Sequence, residues 1–426
     1  MLSTLRNAWK VPELKKRILW TLFFVAIFRM GNHILVPGVD TAQLGNFTKQ
    51  SGSLLNFYDL ISGGALSSFS IFAMGVVPYI NASIIMQLLT IGIPQLEQLS
   101  KEGEDGRRKI QNITRYVAIV LGAIQSYGAY VLITKAGALK DYSNLNLATI
   151  LICLVAASTF LMWLGDQITV KGLGNGVSLI IFVNIISRLP QTAFKVVGYK
   201  NAQEATSIDV ILFILFTIVL LGTSIILSLA ERRITVQYAG KSVGNKVYKG
   251  QTTHIPIGVI SSAVIAIIFA MSVMQFPKTI ADFFPGSWFD MVIANGKYSP
   301  FKVNSGLYAF VYAVLTIFFT WFYSQVTFKP EEMAENMNKS AGFIPGVRPG
   351  QATAKYIERI LDRLSIIGGA FAAIIALSPM VIDTLTPFKD LAFGGTALLI
   401  IVGVALEVMR QLESQLVMRH YHGFLK

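Results

Sequence analysis

Apolar and polar positions alternate along this chain in long blocks rather than residue by residue. Ten predominantly apolar runs, at 18–36, 71–93, 116–133, 147–164, 177–186, 210–230, 257–276, 307–328, 364–382 and 391–408, are separated by polar turns containing Gly and Pro. Most approach the ~20 residues a helix needs to cross ~30 Å of hydrocarbon; the fifth is short. A membrane barrel would show alternation with a period of two. These runs are unbroken, and in lipid such a run satisfies its backbone polar groups as a helix. The pattern predicts an all-α membrane protein of ten transmembrane helices.

Composition agrees: of 426 residues 53% are hydrophobic and 14% charged, too few polar side chains to coat a soluble domain of this size. The first run follows Lys15, Lys16 and Arg17, as a secretory signal would. It is longer than a signal's apolar region and lacks an A-x-A-like cleavage site, so it reads as a retained first span.

Charge sorts the loops into two sets. Alternate loops and both termini carry Arg6, Lys10, Lys15, Lys16, Arg17, Lys101, Arg107, Arg108, Lys109, Arg115, Lys171, Arg232, Arg233, Lys241, Lys246, Lys249, Lys329, Lys339, Arg348, Lys355, Arg359, Arg363, Arg410, Arg419 and Lys426. The opposite set holds Lys49, Lys135, Lys140, Arg188, Lys195, Lys200, Lys278, Lys297, Lys302 and Lys389. Positive charge gathers on the cytoplasmic side of membrane proteins, so both termini are expected in the cytoplasm. The net charge of +13 suits contact with anionic lipid heads and with RNA or an acidic partner. A polar linker at 200–207 leaves five spans on each side, and two similar halves of five spans must lie in opposite orientations. The expected division is 1–200 and 201–426.

The middles of all ten runs lack Asp, Glu, Lys, Arg and His; Arg29 stands at an outer end, Asp166 and Glu407 near inner ends. Proton- and ion-coupled carriers usually keep ionisable groups at mid-depth, so this absence and the large basic loops disfavour a small-solute carrier. A membrane-embedded enzyme has no candidate constellation, and no cofactor is implied. His33, His254, His420 and His422 lack zinc-ligand spacing, and Cys153 lies among Leu, Ile and Val as an inert packed thiol, so no metal site is expected. Gly172, Gly174 and Gly176 follow no strand and read as a tight turn between spans rather than a phosphate loop. The second span carries Asn81, Ser83, Gln87 and Thr90, and the third Gln125. Ordinary interhelical hydrogen bonding accounts for such groups, while Pro78 in the second span should disrupt its helix. A polar, Pro-containing helix suits an interface that opens.

Several stretches are more specific. SGGALSSFSIFAMGVVPYINASIIMQLLT from Ser62, KEGEDGRRKIQ from Lys101, MWLGDQITVKGLGNGVSLIIF from Met162, GFIPGVRPGQATAKYIERIL from Gly342 and FGGTALLIIV from Phe393 occur in the order found in the SecY family, which the chain resembles over essentially its whole length. The resemblance implies an hourglass pore between the halves, closed by a ring of Val76, Ile80, Val177, Ile181, Ile268 and Ile400. An apolar ring excludes ions by dewetting without binding a passing chain. A re-entrant plug at about 54–67 is also implied, with Leu55 and Tyr58 among the residues covering the ring, Asp59 on the wetted side and Gly63 and Gly64 as a flexible break. A lateral gate between spans two and three and spans seven and eight would contain Asn81, Ser83, Gln87 and Gln125. Loops 235–256 and 329–354 would meet the ribosome or the SecA motor, through Arg348 on its Pro/Gly turn and through Lys241, Lys246 and Lys249. Implied partners are the SecE and SecG subunits, SecA, the ribosome, signal peptides with their nascent chains, and anionic lipids. The implied location is the bacterial plasma membrane.

Overall fold

The computed structural model describes residues 2–41, 59, 62–203, 205–238, 241–243, 246–248, 252–260, 263–283, 287–288, 291–292, 296, 299–301, 305–388 and 394–423. It is built from helices: α1 (Leu2–Lys10), α2 (Pro12–Gly31), α3 (Val77–Gly92), α4 (Pro94–Lys101), α5 (Glu104–Lys135), α6 (Asn144–Lys171), α7 (Gly176–Asn201) and α8 (Ser207–Leu229), then α9 (Ala263–Phe283), α10 (Gly306–Phe328), α11 (Pro330–Lys339), α12 (Gln351–Ala376), α13 (Ser378–Leu385) and α14 (Gly395–Gly423). Seven of those described are long and apolar enough to cross a membrane, or eight if α3 and α4, bent by 100° at a break, form one span. The first run forms α2, which opens with charged residues, and the seventh forms α9, whose apolar stretch Ala263–Met274 is shorter. All ten predicted runs therefore contain helix.

Side-chain caps set three of the long helix starts by satisfying backbone N–H groups that lack a partner in the first turn. Ser143 Oγ accepts from Asn146 N–H (3.3 Å) at α6, Asn175 Oδ1 from Val177 and Ser178 N–H (3.0 and 3.2 Å) at α7, and Ser305 Oγ from Tyr308 N–H (3.0 Å) at α10. Pro78 departs from expectation. The apolar run begins at 71, but residues 71–76 form turns and the helix starts at Val77, so Pro78 occupies the first turn, where a missing N–H breaks no intrahelical bond. The sharp bend comes lower, at Ile93–Pro94. The fifth run is also longer than expected: α7 passes through Arg188 and Pro190 for 26 residues.

The glycine turn after α6 is tied down from three sides. Leu173 N–H donates to Thr21 Oγ1 (3.1 Å), Gly176 N–H to Thr169 Oγ1 (2.9 Å), and Gly174, at φ +70°, to Gln411 Oε1. It joins α2, α6, α7 and α14.

Two loops of the basic set fold together as a small module. β1 (Glu231–Tyr238) pairs antiparallel with β4 (Thr252–Gly258), from Glu231 opposite Gly258 to Gln237 opposite Thr252, and with β5 (Gly342–Phe343), giving the order β4-β1-β5. Between β1 and β4, β2 (Lys241–Val243) pairs with β3 (Lys246–Tyr248). Buried Ile234, Val236 and Ile257 of the sheet pack on Met337, Ile344, Ile357 and Leu361, so the module is fastened to the beginning of α12.

Two large apolar clusters lie deeper. One joins α2, α6 and α7 to α14 through Phe24, Phe28, Leu161, Leu164, Ile180, Ile185 and Val404. The other joins α9, α10 and α12 through Phe269, Tyr312, Phe319 and Ala372. Ile80 of α3 packs against both.

Candidate functional site

Five of the six expected ring residues meet in the first cluster. Val76, Ile181 and Ile400 are buried there, and Ile80 and Val177 pack on its edge. They come from the start of α3, from α7 and from α14, elements that Asn175 and the turn at Gly394–Gly395 start at suitable depths; Gly395 N–H donates to Ser378 Oγ at 2.8 Å. Ile268 is different. It is half-buried in α9 and belongs to neither cluster, while its neighbour Ile267 is buried in the second.

On one side of this apolar junction lies the Ser62–Val76 segment. Leu55, Tyr58 and the other apolar residues expected to cover the ring lie outside the described residues, but Asp59, Gly63 and Gly64 are placed. Asp59 is not on a wetted side. Its carboxylate is 14% exposed and paired with Arg188 of α7, because a charge at that depth needs a counter-charge once water is excluded. Asp59 Oδ1 also accepts from Ser67 N–H (2.7 Å), and its carbonyl from Gly64 N–H (2.8 Å) and Ser62 Oγ–H (3.1 Å). Gly63 (φ +70°) and Gly64 (φ +92°) are a fitted turn rather than a flexible break: a Cβ would strike Asn184 at the first and the Arg188 guanidinium at the second. Nearby, Arg29 Nη1 donates to Ser187 Oγ (2.9 Å) and Asn32 Nδ2 to Asn184 Oδ1 (3.4 Å). Sequence reasoning counted Arg188 only as a loop charge. The available signal was an arginine two residues beyond the end of a short apolar run.

Three of the four expected gate residues, Asn81, Ser83 and Gln87, lie where α3 meets the second half. Ser272 Oγ of α9 donates to Asn81 Oδ1 at 3.1 Å. Gln87 Nε2 reaches Ser83 Oγ at 3.4 Å, and Gln87 Oε1 is buried without a partner among the described residues. Both line a cleft of about 1370 Å³ between α3–α5 and α10–α12, with Thr90, Trp321, Phe322 and Gln325 also on its walls and Glu97, Lys101, Lys329 and Glu331 at its charged margin. Gln125 is half-buried in α5 and is not part of that lining.

In the basic-face module, Arg348 is exposed on a turn between Gly346 (φ +81°) and Gly350 (φ +93°), with its carbonyl accepting from Thr353 Oγ1 at 2.9 Å. Buried Ile344 anchors the turn beneath it. Lys241 and Lys246 stand on β2 and β3; Lys249 lies outside the described residues. Among the described residues no group of three or more His, Cys, Asp and Glu is placed to hold a metal.

This arrangement defines a multispanning helical membrane protein with an apolar junction where helices of both parts of the chain meet and a cleft beside it. Comparison with known proteins makes the class specific: a SecY family model matches residues 70–409, and the chain belongs to the SecY family. It is 39% identical to the protein translocase subunit SecY of Thermotoga maritima, over 100% of this chain and 98% of that one. With its counterpart from Halalkalibacterium halodurans the identity is 41%, over the whole of both chains. Among solved structures, a protein-conducting channel superposes with a TM-score of 0.68 at 18% identity, covering 95% of this chain and 93% of that one. A SecY protein whose plug domain stabilises the closed state of the translocation channel gives 0.66 at 19%, covering 95% and 92%. Sec61 in the canine ribosome–channel complex of the endoplasmic reticulum gives 0.63 at 18%, covering 95% and 93%.

Proposed function

We propose that this chain is the pore-forming subunit of a bacterial protein-conducting channel. It passes unfolded, signal-bearing polypeptides across the plasma membrane and releases membrane segments sideways into the bilayer. The observation that carries the reading is the convergence of Val76, Ile80, Val177, Ile181 and Ile400 from three separate elements on one uncharged junction, beside a cleft of about 1370 Å³. An aliphatic closure holds back ions when dry and offers a sliding chain no strong bond to break. The halves 1–200 and 201–426 part along α3, α5, α9 and α10, and the segment around Asp59–Ser67 serves as plug. The basic module, with Arg348, Lys241, Lys246 and Lys249, faces the cytoplasm together with both termini. It receives the SecA motor or the ribosome, while SecE and SecG brace the helices and anionic lipids meet the basic loops. Ribosome docking draws support from the superposition with Sec61 of a ribosome–channel complex.

The test is reconstitution of the full chain with SecE in proteoliposomes, addition of SecA and ATP, and protease protection of a signal-bearing precursor. Protected precursor is expected only with all components present. Folded, inserted protein that protects none would overturn the proposal.

A further inference from the structure

The polar cluster around Arg188 has no part in an apolar closure, and its placement asks for another explanation. Arg188 lies inside α7, not at its end, with its side chain 18% exposed. Its Nη2 serves two residues of the Ser62–Val76 side, the Asp59 carboxylate and Ser67 Oγ (3.2 Å), while Nη1 holds Gln191 Oε1 (2.7 Å) on its own helix. Its Nε is buried without a partner among the described residues. Asp59 in turn gathers the turn around itself through Ser67 N–H, Gly64 N–H and Ser62 Oγ–H. Gly64 rests where any Cβ would enter the guanidinium. One side chain of a transmembrane helix thus holds both Asp59 and the turn at Ser62–Ser67, by a charge pair in a poorly hydrated place.

The geometry points to Asp59 and Arg188 as an electrostatic latch that holds the plug turn shut and sets how strong a signal must be to open the channel. The inference rests on the plug reading given above and goes beyond it, adding a charge pair to the apolar residues expected to cover the ring. A purely apolar seal loosens gradually as the turn shifts. A partly buried ion pair resists until it breaks, because separating its members leaves each charge without its partner. The latch thus makes opening a threshold event. Arg29, hydrogen-bonded to the residue next to Arg188, adds a second positive charge close by. The departing Asp59 then leaves two guanidiniums at the vacated place, and the pull for its return is strong.

Four variants, assayed with SecE in proteoliposomes, test the latch: Asp59→Asn, Arg188→Gln, the two combined, and deletion of residues 59–67. Resting ion leak and SecA-driven export of a precursor with a weakened signal are read together, with thermal unfolding in detergent as control. Asp59→Asn and Arg188→Gln should each raise the leak by on the order of tenfold, as expected for loss of a partly buried charge partner, and admit the weak-signal precursor. The double variant should leak no more than the worse single one, because an interaction already lost is not lost twice. Tight channels in both single variants, with a leaky deletion, would overturn the latch and leave the plug standing. A tight deletion would overturn both. Additive leaks in the double variant, or unfolding of Asp59→Asn without leak, would make the pair a structural tie and also end the proposal.

Discussion

Ile181 and Ile400 are 4% and 2% exposed and meet in one cluster although they sit on helices far apart in sequence. At such a position a methylene lost is felt directly: Ile181→Ala should cost ~2 to 5 kcal/mol, read as a lower unfolding temperature of the detergent-solubilised protein. Replacing Ile80, Ile181 and Ile400 together by Asn should act on conduction, since amides wet the junction and remove the dewetting barrier. Planar-bilayer recording should show raised closed-state conductance, and unchanged conductance would remove these residues from the closure. Ile268→Asn alone should change it least, because Ile268 stands outside both apolar clusters. That residue also shows the limit of motif transfer. A match to a family stretch places a residue on the right helix, but whether it or its neighbour Ile267 is enclosed depends on helix rotation, which packing decides. Arg188 was hidden for another reason. A charge after an apolar run reads as the end of a span, and its counter-charge Asp59 is 129 residues away in sequence.

At the scale of elements, the hydrophobic pattern disclosed each long apolar helix among the described residues but misplaced ends. The second run looked continuous from 71 because residues 71–76 are as apolar as the helix that follows; what they lack is helical backbone, with Gly75 at φ +56°. The β4-β1-β5 sheet was not anticipated, since its three strands come from two loops and become recognisable only when paired. The pairing gives Arg348 a firm base. Arg348→Glu should leave thermal stability within about 0.5 kcal/mol, as for an exposed substitution, while sharply reducing SecA-driven export through repulsion at a contact. Normal export by this variant would reduce Arg348 to one of many topology-setting charges. The α3–α9 contact is softer. Removing the hydrogen bond to Asn81 with Ser272→Ala should favour the parted state by ~0.6 kcal/mol, about threefold in population, as interhelical hydrogen bonds in membranes average. A graded increase in export of a weak-signal precursor would register it.

Over the whole molecule, the same contact permits a test of whether the halves must part. In a Cys153→Ala background, Asn81→Cys with Ser272→Cys replaces two side chains that already touch, at 3.1 Å, by facing thiols, which oxidation joins where the two backbones come within disulfide reach. Oxidation should block entry of a signal-bearing precursor and reduction should restore it. Undiminished transport through the oxidised form would show that this seam stays closed in use. Span counting and the 200–207 linker made two halves the expectation. The polar residues of α3 alone would have suited ordinary helix contacts equally well, and only the family resemblance pointed to a seam there.

The helix α12 begins in the basic-face module and ends among membrane helices without a break, 26 residues or about 39 Å at ~1.5 Å each. Its closest approaches to neighbouring backbone fall at Gly368, against Val259, and at Gly369, against Ile317 of α10, where a side chain would find no room. Mechanically this is a lever on a fulcrum. The arm beside the sheet is about 25 Å long and the arm inside the membrane about 10 Å. If the helix turns about these glycines as a rigid body, a load applied to the module reaches Ala372, Ala373, Ile375 and Ala376 with less than half the travel and more than twice the force. Ala372, Ile375 and Ala376 belong to the same cluster as Ile84 of α3, so the short arm bears on the packing around the helix that carries the seam.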